Sequence, residues 1–120
     1  MKLSLPLFAL IAFTVSAQSA DWPQWRGPNR DGVTIDAKHD LAALPTDLKQ
    51  LWKLPATDGH ASPVISGGQL IYLDGQNGEE TAHCVDVATG KNLWSAAVGP
   101  LVEFSNYGSG PRCTAIINGD

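Results

Sequence analysis

Cys84-Val85-Asp86-Val87-Ala88-Thr89-Gly90-Lys91-Asn92-Leu93-Trp94 is the stretch on which the fold turns. Two short β-prone runs flank a turn, and each turn residue has a physical task. Asp86 accepts hydrogen bonds from backbone amides two or three residues on, which starts an Asx-type turn. The Thr89 hydroxyl reinforces that turn. Gly90 supplies the positive φ at which a hairpin loop of a few residues closes on its bulge. Trp94 then stands on the outgoing strand, a large flat ring whose N–H requires a partner. The segment predicts a β-hairpin whose outer strand ends in a docking tryptophan.

Outward from this hairpin the same pattern recurs. Leu48-Lys49-Gln50-Leu51-Trp52-Lys53-Leu54 reads as an amphipathic strand carrying a Leu-Trp pair like Leu93-Trp94, 42 residues earlier. That interval suits one four-stranded unit of a repeat protein, which spans roughly 40–50 residues. Between the two tryptophans, Ala61–Ser66 predicts a first strand, and Gly67-Gly68 a two-residue turn. Gln69–Leu73 predicts a second strand, Asp74–Glu79 a glycine-rich turn, Glu80–Val87 a third strand and Lys91–Ala96 a fourth. Thr114–Asp120 then repeats the pattern of Ser62–Gly68, after an insertion over Gly99–Pro111.

Spaced as Asp-x-x-Thr-Gly-x-x-x-Trp, residues 86–94 resemble the tryptophan-docking repeat of the quinoprotein (PQQ-type) β-propellers. An alanine usually opens that motif, and Cys84 takes its place here. The segment Trp22-Pro23-Gln24-Trp25-Arg26-Gly27-Pro28 is likewise similar to the start of many exported PQQ-like propeller proteins. The resemblance covers most of residues 21–120. It implies an all-β fold, a β-propeller of four-stranded antiparallel blades, of which about one and a half are present. Because a blade buries its faces against its neighbours, the chain is expected to be the N-terminal part of a longer protein.

The organisation expected is a secretory signal over residues 1–20, an arm and linker over 21–47, and the start of the propeller over 48–120. Lys2 opens the leader and Leu3–Val15 is its apolar centre, too short to span a bilayer. Small residues come next, so cleavage is expected after Ala17 or Ala20, with a periplasmic or secreted product. Removing the leader takes the net charge from −4 to −5, since Lys2 is its one charged residue. No basic run is present, which argues against nucleic acid as a partner. In the arm, prolines and glycines forbid a helix, and the tryptophans are expected to anchor it by packing. Asp36–Leu48 predicts a short helical turn or an irregular linker, interrupted by Pro45. An exported setting permits a Cys84–Cys113 disulfide; the other reading is two separate small core residues.

Candidate chemistry is sparse. Glu79 and Glu80, adjacent on an extended chain, point to opposite faces and cannot converge on one bond, as do His83 and Cys84. Asp74–Glu79 lacks the glycine that a calcium loop needs at its sixth position, where Glu79 stands. His39 and His60 are isolated, and no nucleotide-binding or nucleophile motif is present. No catalytic or metal residue is assigned, and the cofactor-binding residues stay open. The connections 55–61 and 99–112 would lie on the face that ligands approach in a propeller. They place Asp58, His60, Glu103, Asn106 and Arg112 there, to bind a ligand or to solvate the rim. An inward Arg112 would call for a carboxylate or an anionic ligand. The resemblance therefore implies an exported binding or scaffold module with a protein partner or small-molecule ligand on that face. The alternative it implies is a PQQ-dependent alcohol or sugar dehydrogenase using calcium as Lewis acid and an aspartate as base.

Overall fold

A computed structural model describes residues 21–34, 45–104 and 106–119. The leader, His39, Asp120 and most of the linker predicted over Asp36–Leu48 lie outside these. Four strands, β1 (Val64–Ser66), β2 (Gln69–Gln76), β3 (Glu79–Asp86) and β4 (Asn92–Pro100), form one antiparallel sheet in the order β1-β2-β3-β4. A second pairing joins the two-residue strands β5 (Glu103–Phe104) and β6 (Gly108–Ser109). The described residues are all-β, without a helix, and the sheet is open. None of them forms a helix long and apolar enough to cross a membrane.

The turns explain the meander. Gly67-Gly68 (φ 56° and 77°) and Asn77-Gly78 (φ 52° and 81°) both place two successive residues in the left-handed region, the twist that a two-residue hairpin requires. At the third hairpin, Asp86 Oδ1 accepts from Thr89 N at 2.8 Å and Thr89 Oγ1 at 2.7 Å. Gly90 N donates to Asp86 O at 2.8 Å with φ at 69°. This is the turn chemistry expected of Asp86, Thr89 and Gly90. Those hydrogen bonds from Thr89 hold the Asp86 carboxyl below the usual carboxylate range. A depressed folded value stabilises above the unfolded pKa and is lost as pH falls through the folded one. Urea midpoints should therefore drop on acidification below the unfolded value of 3.8, and Asp86→Asn should flatten that acid limb.

All four strands differ at a boundary from the sequence reading: β1 starts at Val64 and not at Ala61, and β3 spans Glu79–Asp86 and not Glu80–Val87. β2 continues through Asp74 and Gly75 to Gln76, so the expected turn over Asp74–Glu79 shrinks to Asn77-Gly78. Asp74 stays extended because its carboxylate is engaged within the sheet. Gly75 stays extended beside Leu101, whose Cδ1 would lie 2.6 Å from a Cβ built there. β4 likewise runs on to Pro100, and Glu79 and Glu80 stand on β3.

The flanking segments are extended without pairing as strands. Leu51 and Lys53 are exposed while Trp52 and Leu54 are half-buried, so 51–54 alternates as predicted but makes no ladder. Residues 114–119 do not form the expected repeat strand either. Ile117 N donates to Pro23 O at 2.9 Å, and Thr114 Oγ1 accepts from Ser62 N at 3.1 Å. The arm, meanwhile, adds Trp22 to the outside of β1 through paired hydrogen bonds with Ile65 at 2.7 and 2.9 Å.

Register sets the two faces. Val64, Ile71, Cys84 and Trp94 form one row across the sheet, and Tyr72, His83 and Ser95 another on the opposite face. Leu70, Tyr72 and Asp74 share a hollow with Trp52, Leu54 and Thr57 of the preceding segment. On the other side, Ile71 and Trp94 share one with Ile116–Gly119. The sheet is thus sandwiched between the 52–57 segment and the 116–119 segment, with Val64, Cys84 and Val85 fully buried.

Candidate functional site

Cys84 and Cys113 are both free thiols, Cys84 buried and Cys113 exposed. The permitted disulfide is not formed, and Cys113 is not a core residue. Burial pushes the Cys84 thiol up, further slowing attack on it. Ellman's reagent should titrate one thiol in native protein and both in denaturant; two fast thiols would contradict this packing.

Three arrangements emerge when the remaining polar and aromatic groups are placed. In the first, the Trp52 indole lies over Gly90, where an added Cβ would sit 2.8 Å from Cγ and Cδ2. Its Nε1 donates to Val87 O at 2.8 Å. The tryptophan of one Leu-Trp pair thus caps the turn of the sheet that comes after it. Trp94, its counterpart on β4, is 44% exposed.

The second is a relay across three strands. Asp74, 1% exposed, accepts from His83 Nε2 at 2.9 Å and from Thr57 N at 3.2 Å. His83 Nδ1 lies 2.9 Å from Ser95 Oγ, and the ring stacks on Tyr72 at 4.8 Å between centroids. With its NH2 toward Cys84 O and Trp94 O, the Asn92 amide also donates to Ser95 Oγ at 3.3 Å. The Asp74 carboxylate can only accept, so His83 Nε2 carries a proton toward it. Burial, then the Asp74 carboxylate, raises the Tyr72 phenol. A serine backed by imidazole and carboxylate also marks hydrolase nucleophiles. Here, however, Ser95 lines none of the hollows at Trp25, Trp52, Trp94 or Val98. The relay ties Thr57 to β2, β3 and β4.

The third is a hollow of about 480 Å³ where the arm, residues 60–62 and residues 112–116 meet. Arg30, His60 and Arg112 line it, with Trp25, Cys113 and Thr114, and among the described residues no carboxylate does. Arg30 Nε donates to Gln24 Oε1 at 3.0 Å, and Gln24 Nε2 to Pro28 O at 2.9 Å. Arg112 Nη2 donates to Tyr107 O and Gly108 O, each at 3.2 Å, with its guanidinium 5.9 Å from the Tyr107 ring. Arg26 and Arg30 hold φ of 63° and 59°, a region that costs a non-glycine residue about 1–2 kcal/mol. The arm bears that strain while placing Arg30 in the hollow.

A scan against family models, a search of the curated proteins and a search of the solved structures each return no match.

Of the residues singled out from the sequence, the structure brings together His60 and Arg112. Asp58 acts through its backbone, its carbonyl accepting from Gly75 N at 2.9 Å. Glu103 stands on β5 and Asn106 in the turn before β6, both exposed and outside the hollow. Among the described residues no three His, Cys, Asp or Glu side chains converge as metal ligands. Sequence reasoning missed Trp25 and Arg30. Trp22 is the anchor expected, packed over Gly27, whereas Trp25 is 59% exposed with Arg26 over its ring at 5.5 Å.

Proposed function

We propose that the sheet is one blade of a PQQ-like β-propeller and that the protein is an exported binding or scaffold module. The observation that carries this reading is the Trp52 dock. An indole from the segment before the sheet lies over Gly90 and donates to Val87 O, within the Asp86–Gly90 turn that the motif specifies. A wedge of this kind, repeated, stacks sheets around an axis. Trp94 presents the same group on β4, and both faces of the sheet meet neighbouring segments, as a blade between blades requires.

Electron microscopy of the protein purified from its own source is expected to show a ring of roughly six to eight sheets. A two-layered sandwich overturns the blade. Cell fractionation with N-terminal sequencing should find a mature start at Gln18 or Asp21. In a dye-linked alcohol oxidation assay with added PQQ and calcium, no turnover is expected; turnover would establish the dehydrogenase instead.

A further inference from the structure

We propose that β4 is a self-association edge, along which two copies of this chain pair antiparallel about a two-fold axis at Ala96. The two outer strands of the sheet differ in what meets them. β1 is covered by the arm, whose Trp22 exchanges backbone hydrogen bonds with Ile65. β4 ends the sheet with no described strand beyond it, and all of its residues but Gly99 are exposed. Proteins commonly blunt such an edge with charge, yet β4 carries none from Asn92 to Pro100. Only β3 and β4 take part, so the pairing is independent of whether the sheet is a blade.

Register shows which backbone groups the edge offers. Asp86 N donates to Lys91 O, so Asp86, and by alternation Cys84 and Ala82, turn their backbone groups toward β4. Trp94 and Ala96 answer Cys84 and Ala82. Ser95 and Ala97, opposite His83 and Thr81, therefore direct their N–H and C=O groups outward, where no described backbone group takes them up. Register shifts at Leu93 and Val98 bound this regular run, so the pairing surface is short. A two-fold axis satisfies both edges. With Ala96 opposite Ala96 of the second copy, Ser95 and Ala97 exchange hydrogen bonds with Ala97 and Ser95 of that copy. The row of Val64, Ile71, Cys84 and Trp94 then continues onto Val98 of the second copy, an aromatic on a β-branched side chain. Charge sets the direction. Lys91 precedes β4, whereas Glu79 and Glu80 pair with Pro100 and Gly99 at its far end and Glu103 follows. Antiparallel pairing brings Lys91 of each copy to the acidic end of the other, and parallel pairing would set like charges side by side.

So short a contact falls at the small end of specific interfaces, and a Kd on the order of tens of micromolar is expected. Sedimentation velocity of the full chain from about 1 to 200 µM should show a monomer–dimer equilibrium, and a monomer throughout overturns the proposal. Ala96→Lys sets two cations opposite each other on the axis and should weaken the dimer at least about tenfold, as should Ala96→Glu with two anions. Because Ala96 is exposed, both variants should keep the wild-type circular dichroism spectrum. An equimolar mixture of the two should dimerise again. Undiminished association of either variant alone, or no recovery on mixing, removes the axis from Ala96. Cross-linking then reads the register in a Cys113→Ser background, which takes away the exposed thiol. Ala96→Cys should form an intermolecular disulfide on air oxidation, since an antiparallel pair without mutual hydrogen bonds holds its Cα atoms about 4.5 Å apart. Ser95→Cys, which faces Ala97 and not itself, should cross-link at least about tenfold more slowly. Equal rates for the two cysteines overturn the pairing.

Discussion

Gly90→Ala is expected to destabilise the protein by about 3 kcal/mol, lowering its thermal midpoint by roughly 10 °C. Alanine at φ 69° carries strain of its own, about 1–2 kcal/mol. The larger effect is displacement: the new Cβ would stand 2.8 Å from Trp52 Cγ and Cδ2, too close for the ring to remain. Trp52 would leave its bed and lose the 2.8 Å bond to Val87 O. Trp52→Ala should therefore cost a similar amount, about 3 kcal/mol, at the low end for a tryptophan because the ring is only half-buried. The two losses are the same loss. In a double-mutant cycle the pair should cost about 2 kcal/mol less than the sum of the singles. Trp52→Phe, which keeps a ring over Gly90 and removes the donor, should cost about 1 kcal/mol. Strict additivity of Gly90→Ala and Trp52→Ala would show that the indole contributes nothing through this turn, and the blade reading would lose its main support.

The hairpin at Asp86–Gly90 was legible because its chemistry is local. A carboxylate, a hydroxyl and a glycine within five positions need no other part of the chain to close the turn. Gly67-Gly68 is the same kind of signal. Asp74 and Gly75 misled for the opposite reason: residue types that strands disfavour predict a turn unless a distant partner retains them. That partner is His83, and register delivers it. Once Asn77-Gly78 is taken as the two-residue turn, Tyr72 pairs with His83 and Asp74 falls on the same face. The alternation of side chains did place His83 and Cys84 on opposite faces. No short-range pattern foreshadows the hollow, since Arg30, His60 and Arg112 meet only through the arm's attachment to β1 and the carbonyl of Pro111. Arg30 also sits among prolines and glycines, in a segment whose composition reports backbone shape and not side-chain position. The free thiols obey the same logic: two cysteines and an exported setting permit a bond, but only geometry decides it.

His83→Leu and Asp74→Leu should each cost about 3 kcal/mol, and together clearly less than their sum. Either single substitution leaves a buried polar group without its partner. Without His83, a carboxylate 1% exposed keeps only the Thr57 amide at 3.2 Å. Without Asp74, His83 Nε2 and Thr57 N both lose their acceptor. Removing both partners replaces the buried pair with apolar surface and strands only the Thr57 amide, so the double variant recovers about 2 kcal/mol of the summed loss. Burial ranks the relay's members by consequence. Ser95 is exposed, so water can take its place beside Nδ1, and Ser95→Ala should cost no more than about 1 kcal/mol. Chemical denaturation of the four variants checks the order. A catalytic serine would invert it in an activity assay, where Ser95→Ala would be as damaging as His83→Leu while leaving stability almost untouched.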